Sequence, residues 1–85
     1  MDWSENMREA VIRRFLEILE EKKITVNKLA NLSGVAPSTV KNIFNGTSRN
    51  PGIVTIKLLC DGLGITVTEF FNSPIFEKLE IEEIE

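Results

Sequence analysis

The sequence predicts an all-α domain of five helices, and three observations carry that prediction. Apolar residues recur at helical spacing in one segment after another, and no stretch alternates convincingly before the extreme C-terminus. Helix-starting residues (Thr25, Pro37, Thr66) and helix-ending glycines (Gly34, Gly46) punctuate the chain at intervals that suit short helices. At 85 residues there is room for one hydrophobic core, and an apolar content of 42% with 27% charged residues is that of a folded chain.

The first helix is expected to begin near Asp2 or Ser4, either of which can cap it, and to end around Lys23. Val11, Ile12, Phe15, Ile18 and Leu19 form its apolar stripe, with Arg13, Arg14, Glu17 and Glu20 on the other side. Thr25 suits the N-cap of a short second helix carrying Leu29, Ala30 and Leu32, which Gly34 ends. Pro37 fits the first turn of a third helix, where its missing N–H is no loss, and Gly46 closes it. Residues 47–52 read as a polar turn. A fourth helix follows over 53–62, with Ile53, Ile56, Leu59, Cys60 and Leu63 as its apolar stripe. Thr66-Val67-Thr68-Glu69 is a capping box that opens a fifth helix containing Phe70 and Phe71, and Ser73-Pro74 stops it. Beyond it, Phe76, Leu79 and Glu80 suit a helix, while Leu79-Glu80-Ile81-Glu82 alternates like a strand; both readings stay open. The expected organisation is a domain over 1–73 and an acidic tail over 74–85.

The net charge of −3 is unevenly spread. Residues 22–60 hold six basic side chains and no acid. Residues 1–21 hold three basic and six acidic ones, and residues 61–85 one basic and seven acidic ones. A basic middle between acidic ends is the local footprint that phosphate binding needs. The single cysteine, Cys60, allows no internal disulfide and reads as a buried structural thiol in a cytoplasmic protein. The acidic start is unlike a signal peptide, and no apolar run is long enough to cross a bilayer, so no membrane association is expected. With no histidine, no cysteine pair and no glycine-rich phosphate loop, neither an enzyme, a metal site nor a cofactor is expected. Trp3 and Phe15 read as packing residues.

The second and third helices, joined by a turn containing glycine, form a unit over 25–45 of a kind used in DNA recognition. Ala30 is small where the two helices must approach closely, and Val40 and Ile43 point inward. At about 100° per residue, Pro37, Ser38, Lys41, Asn42 and Asn45 fall within one arc of roughly 140°, opposite Val40 and Ile43. That face is polar and free of negative charge. It can enter a major groove, where asparagine pairs with adenine and lysine with guanine. Phosphate contacts are expected around it: from Thr25, Asn27 and Lys28 at the open N–H groups of the second helix, and from the loop Thr47, Ser48, Arg49 and Asn50. The start of the fourth helix, near Gly52 and Ile53, offers a similar anion site.

Ile24-Thr25-Val26-Asn27-Lys28-Leu29-Ala30, Ser33-Gly34-Val35, Ser38-Thr39-Val40, Asn45-Gly46 and Asn50-Pro51 resemble the XRE family, the helix-turn-helix domains of lambda and Cro-type phage repressors and many bacterial regulators. Leu58 to Thr66 and Glu69-Phe70-Phe71 are similar to that family's fourth and fifth helices. The resemblance covers roughly residues 8–72. It implies a five-helix lambda-repressor-like fold, the third helix as recognition helix, and a homodimer on a near-palindromic site in double-stranded DNA. By position it implies base contacts at Pro37, Ser38 and Asn42 with Lys41 close by, and phosphate contacts at Thr25, Asn45, Arg49 and Asn50. Two residues depart from the pattern. Val26 stands where many members have glutamine, and Ala36 replaces the usual serine or threonine cap. The expected function is sequence-specific transcriptional regulation, most simply repression. The alternative is an antitoxin or other protein-interaction module on the same fold.

Overall fold

The computed structural model of the chain describes residues 6–48, 50–77 and 79. Its elements are five α-helices and a closing 3-10 turn: α1 (Met7–Lys22), α2 (Val26–Ser33), α3 (Pro37–Phe44), α4 (Ile53–Leu63), α5 (Val67–Phe71) and the turn Pro74–Phe76.

Local chemistry sets most of the boundaries. Asn6 caps α1: its backbone is extended and its side-chain oxygen accepts from the Glu9 N–H at 2.9 Å. That corrects the expected start, whose caps Asp2 and Ser4 lie, with Trp3, outside the described residues. At the other end Lys23 adopts a left-handed φ of 57°. Its N–H reaches Glu20 O and that of Ile24 reaches Leu19 O, the paired bonds of a Schellman ending. A side chain in that conformation costs roughly 1 kcal/mol, offset by the carbonyls it satisfies.

Thr25 caps α2 through the Lys28 N–H at 3.1 Å, and Gly34 ends it with a φ of 72°. α3 starts at Pro37, and Ala36 supplies no side-chain cap. Thr66 and Glu69 form both bonds of the expected capping box, at 2.9 and 3.0 Å. α4 departs from expectation at its end. It runs past Gly62 to Leu63, and Gly64, with a φ of 73°, is the residue that closes it.

Gly62 instead lies where α4 crosses α2. A Cβ at Gly62 would stand 2.9 Å from both Cα and N of Ser33, closer than non-bonded atoms approach, so only glycine lets the two backbones meet.

The core is one cluster: Val11, Phe15, Ile18 and Leu19 of α1, Leu29 and Ala30 of α2, Val40 and Ile43 of α3, Ile56, Leu59, Cys60 and Leu63 of α4, and Phe70 of α5. The expected stripes largely hold, with two corrections. Ile53 is 64% exposed because the first turn of α4 projects beyond the cluster, and Leu32 is also outside it. Phe15 sits at the centre. Its ring lies 6.0 Å from that of Phe44 and 4.4 Å from that of Phe70, and Phe70 in turn meets Phe71 and Phe76. An aromatic chain thus joins α3 to the closing turn through α1 and α5, each contact contributing about 0.5–1.5 kcal/mol beyond its buried area.

Arg14 also departs from expectation. Rather than standing on a solvated face, its guanidinium donates to the carbonyl oxygens of Phe70 at 2.6 Å and Glu69 at 2.8 Å. Those carbonyls belong to the last turn of α5: that of Glu69 also accepts from the Asn72 N–H at 3.3 Å, and that of Phe70 has no later helical turn to bond it. Arg14 therefore ties the shortest helix to the longest.

Candidate nucleic-acid interface

α3 has eight residues, and its two faces are sharply different. Val40 and Ile43 are 0% and 2% exposed. Phe44 is half-buried against the core, its ring edge-on to Phe15. Pro37, Ser38, Lys41 and Asn42 are all exposed, as is Asn45 just past the helix end. The arc read from helical geometry is thus the outer surface of a helix whose inner face is fully packed. Thr39, at the border of the arc, is exposed as well.

The packing behind α3 gives it one orientation. α2 lies against both α3 and α4, and the Gly62–Ser33 crossing sets how closely it does so. At the C-terminal end of α3 the chain turns back through Gly46, whose φ of 81° suits glycine. The Asn45 side-chain oxygen accepts from the Thr47 N–H at 2.9 Å, and the Ser48 N–H donates to Asn42 O at 2.9 Å. Asn45 therefore shapes the loop with its oxygen, and the side chain stands exposed. Thr47 and Asn50 are exposed and Ser48 is half-buried. Arg49 lies outside the described residues.

Two of the expected groups of site residues come together. Thr25, Val26 and Asn27 at the start of α2 and Lys41, Phe44 and Asn45 at the end of α3 line one shallow concavity. The Thr25 hydroxyl is occupied by the Lys28 N–H, so the N–H groups of Val26 and Asn27 are the ones left open at this helix start. Val26 packs its side chain against the core and forms part of the concavity floor. Asn27 and Lys28 are exposed. Neither Lys28 nor Lys41 is in an ion pair among the described residues. Lys57, by contrast, pairs with Asp61 along the outer face of α4, away from this group.

The result is a surface with donor-rich side chains, open backbone N–H groups at a helix start, and no carboxylate among the residues that line it. Such a surface suits a polyanion that presents acceptors, and a short protruding helix suits a groove of major-groove width.

The comparisons with known proteins agree with this geometry. The helix-turn-helix family matches residues 15–70. Over 65 residues, 76% of this chain, the sequence is 46% identical to the HTH-type transcriptional repressor RghR of Bacillus subtilis (strain 168). The chain spans 45% of that relative's length. Among solved structures it is similar to prophage Lp1 protein 11, with a TM-score of 0.75 and 37% identity, over 82% of this chain and 92% of that one. The matched region contains α2, α3 and the crossing with α4, the elements that build the surface just described. The chain belongs to the XRE-type helix-turn-helix family of DNA-binding transcriptional regulators.

Proposed function

We propose that this chain is a sequence-specific transcriptional repressor that binds double-stranded DNA as a homodimer in the cytoplasm, and that it is not an enzyme. One observation carries the reading: α3 buries Val40 and Ile43 completely while it presents Ser38, Lys41 and Asn42, with no acid, to solvent. A helix so anchored holds its outer side chains at fixed positions, which base readout requires. On this reading Pro37, Ser38, Lys41 and Asn42 meet base edges. Thr25, Asn27, Lys28, Asn45, Thr47, Ser48, Arg49 and Asn50 grip phosphates, fixing position without reading sequence. The repressor relative supports the direction of regulation. In a two-fold dimer the recognition helices would stand about 34 Å apart and select half-sites one DNA turn apart.

The test begins with selection of bound duplexes from a random pool, followed by substitution. Asn42→Ala should cost about 1–3 kcal/mol on the selected site and relax selectivity at one position. Arg49→Ala should weaken every duplex by a similar factor. Lys41→Ala should resemble Asn42→Ala if it meets a guanine and Arg49→Ala if it meets phosphate. Equal losses on all sequences for all three would leave a non-specific binder. No loss in any folded variant would remove α3 as the reading helix.

A further inference from the structure

Of the six large apolar side chains that stand exposed among the described residues, three belong to α4: Ile53, Val54 and Leu58. Single exposed apolar residues are ordinary, but several on one helix mark a surface that another molecule covers. We propose that the outer face of α4 is where two copies of this chain meet, their helices antiparallel about a two-fold axis. The inference rests on the homodimer of the reading above and names its interface.

Helical geometry separates the two faces of α4. At about 100° per residue, Ile56, Leu59, Cys60 and Leu63 share one arc, and all four are buried. Lys57, Asp61, Val54 and Leu58 lie in that order across the opposite arc, which spans roughly 100°. All four are exposed. Lys57 and Asp61 are the charged residues of this helix; they pair with each other at 2.5 Å, and each is more than half exposed. An ion pair in that setting contributes little to the stability of one chain. None of the four lines the concavity between α2 and α3, so a partner seated on this face does not occupy the surface proposed to meet DNA.

Charge complementarity selects a second copy as the occupant. When a helix packs on its own copy about a two-fold axis that lies in the plane of contact and crosses the helices, levels reverse along the helix while each edge meets its own counterpart. An axis at the level of Leu59, midway between 57 and 61, therefore sets Lys57 of each copy against Asp61 of the other. On the opposite edge Leu58 meets Leu58, their levels about 3 Å apart. Val54 reaches the level of Gly64, which closes the other helix. A parallel pairing would lay the Lys57 edge over Leu58 instead. An acidic or a basic partner would match one of the two charges; a second copy matches both. The aromatic residues of α5 and the closing turn offer no competing surface, since Phe70 is buried and Phe71 and Phe76 pack against the core.

Sedimentation equilibrium of the full chain should show a concentration-dependent dimer. Lys57→Glu and Asp61→Lys should each raise its dissociation constant by roughly tenfold or more, because each sets like charges together. An equimolar mixture of the two variants should dimerise again, since one then carries two acids on this face and the other two bases. Leu58→Asp should weaken the dimer as strongly, and thermal melts check that each variant is folded. In the unsubstituted chain, dilution should shift the Val54 and Leu58 methyl signals in NMR spectra, an arm that holds even where a variant does not fold. A dimer that ignores all three substitutions, with methyl signals unmoved on dilution, would overturn this face and leave the homodimer reading intact. Single variants that separate but do not recombine on mixing would overturn the antiparallel pairing. A strict monomer at every concentration, with and without duplex, would remove the homodimer and this interface together and leave the face to a different protein.

Discussion

Arg14 and Phe70 are 56 residues apart in sequence, yet the Arg14 Nε lies 2.6 Å from the Phe70 carbonyl oxygen. Its Nη2 meets the carbonyl of Glu69 as well, which the Asn72 N–H also reaches, so one planar guanidinium serves two acceptors at the end of α5. The side chain is 19% exposed, which keeps water from replacing it freely. Arg14→Ala should therefore destabilise the domain by about 2–3 kcal/mol, since it removes two charge-assisted bonds and leaves the Phe70 carbonyl unpaired. Thermal melts should show a drop of roughly 10 °C. Arg14→Lys should recover only part of that, because a single ammonium cannot span both oxygens in the same geometry. A melt within a degree of the original would refute the structural role.

Gly62 tests the crossing of α4 over α2. By intrinsic preference alone, alanine in the middle of a helix is favoured over glycine by about 1 kcal/mol. The approach to Ser33 reverses the sign here. Gly62→Ala should destabilise by about 1–3 kcal/mol, because the added methyl meets backbone rather than a side chain that can turn aside. Denaturant midpoints measure it. DNA affinity at temperatures where the variant remains folded should fall too, as α2 is pushed away and α3 with it.

Cys60 should be inert in the folded protein. Burial, with the charge of Asp61 adding to it against Lys57, pushes its thiol up to about 11. Almost no thiolate is present at neutral pH, and the thiolate is the reactive form. The rate of modification by a thiol reagent should follow the unfolded fraction and rise steeply with denaturant. Fast reaction in native buffer would contradict the buried position.

Glu69 predicts the pH dependence of α5. The Thr66 backbone N–H, then the Thr66 hydroxyl, favour the ionised carboxylate and lower its pKa. A group whose folded pKa lies below its unfolded one contributes stability above the unfolded value, and loses it as pH falls through the folded value. Glu69→Gln should therefore narrow the difference between denaturant midpoints measured at neutral pH and in acid below the ordinary carboxylate range. An unchanged difference would mean that the capping box carries no pH-linked stability.

Most of the fold was legible because it follows local rules. Thr25, Gly34, Pro37 and the Thr66–Glu69 box act on residues three or four positions away, so spacing alone exposes them. The apolar stripes were legible for the same reason, and the outward arc of α3 came with them. Asn6 was within reach too, since a glutamate stands three residues after it, but Asp2 and Ser4 offered equal caps. What was not legible depends on tertiary approach. Gly62 reads as a helix stop until Ser33 is seen against it. Arg14 reads as solvated until the end of α5 is brought to it.

The division of α3 into a sealed inner face and an open outer one also bears on how such a protein diversifies. Val40 and Ile43 hold the helix in place, while Ser38, Lys41 and Asn42 support nothing behind them. Substitutions at the outer positions can accumulate without unfolding the chain, since exposed side chains away from caps and ion pairs change stability by about half a kcal/mol or less. Gene duplicates could thus drift to new target sites one outer residue at a time, each intermediate remaining folded. Retargeting by design has the same freedom: the three outer residues can be randomised as a library on an otherwise fixed scaffold.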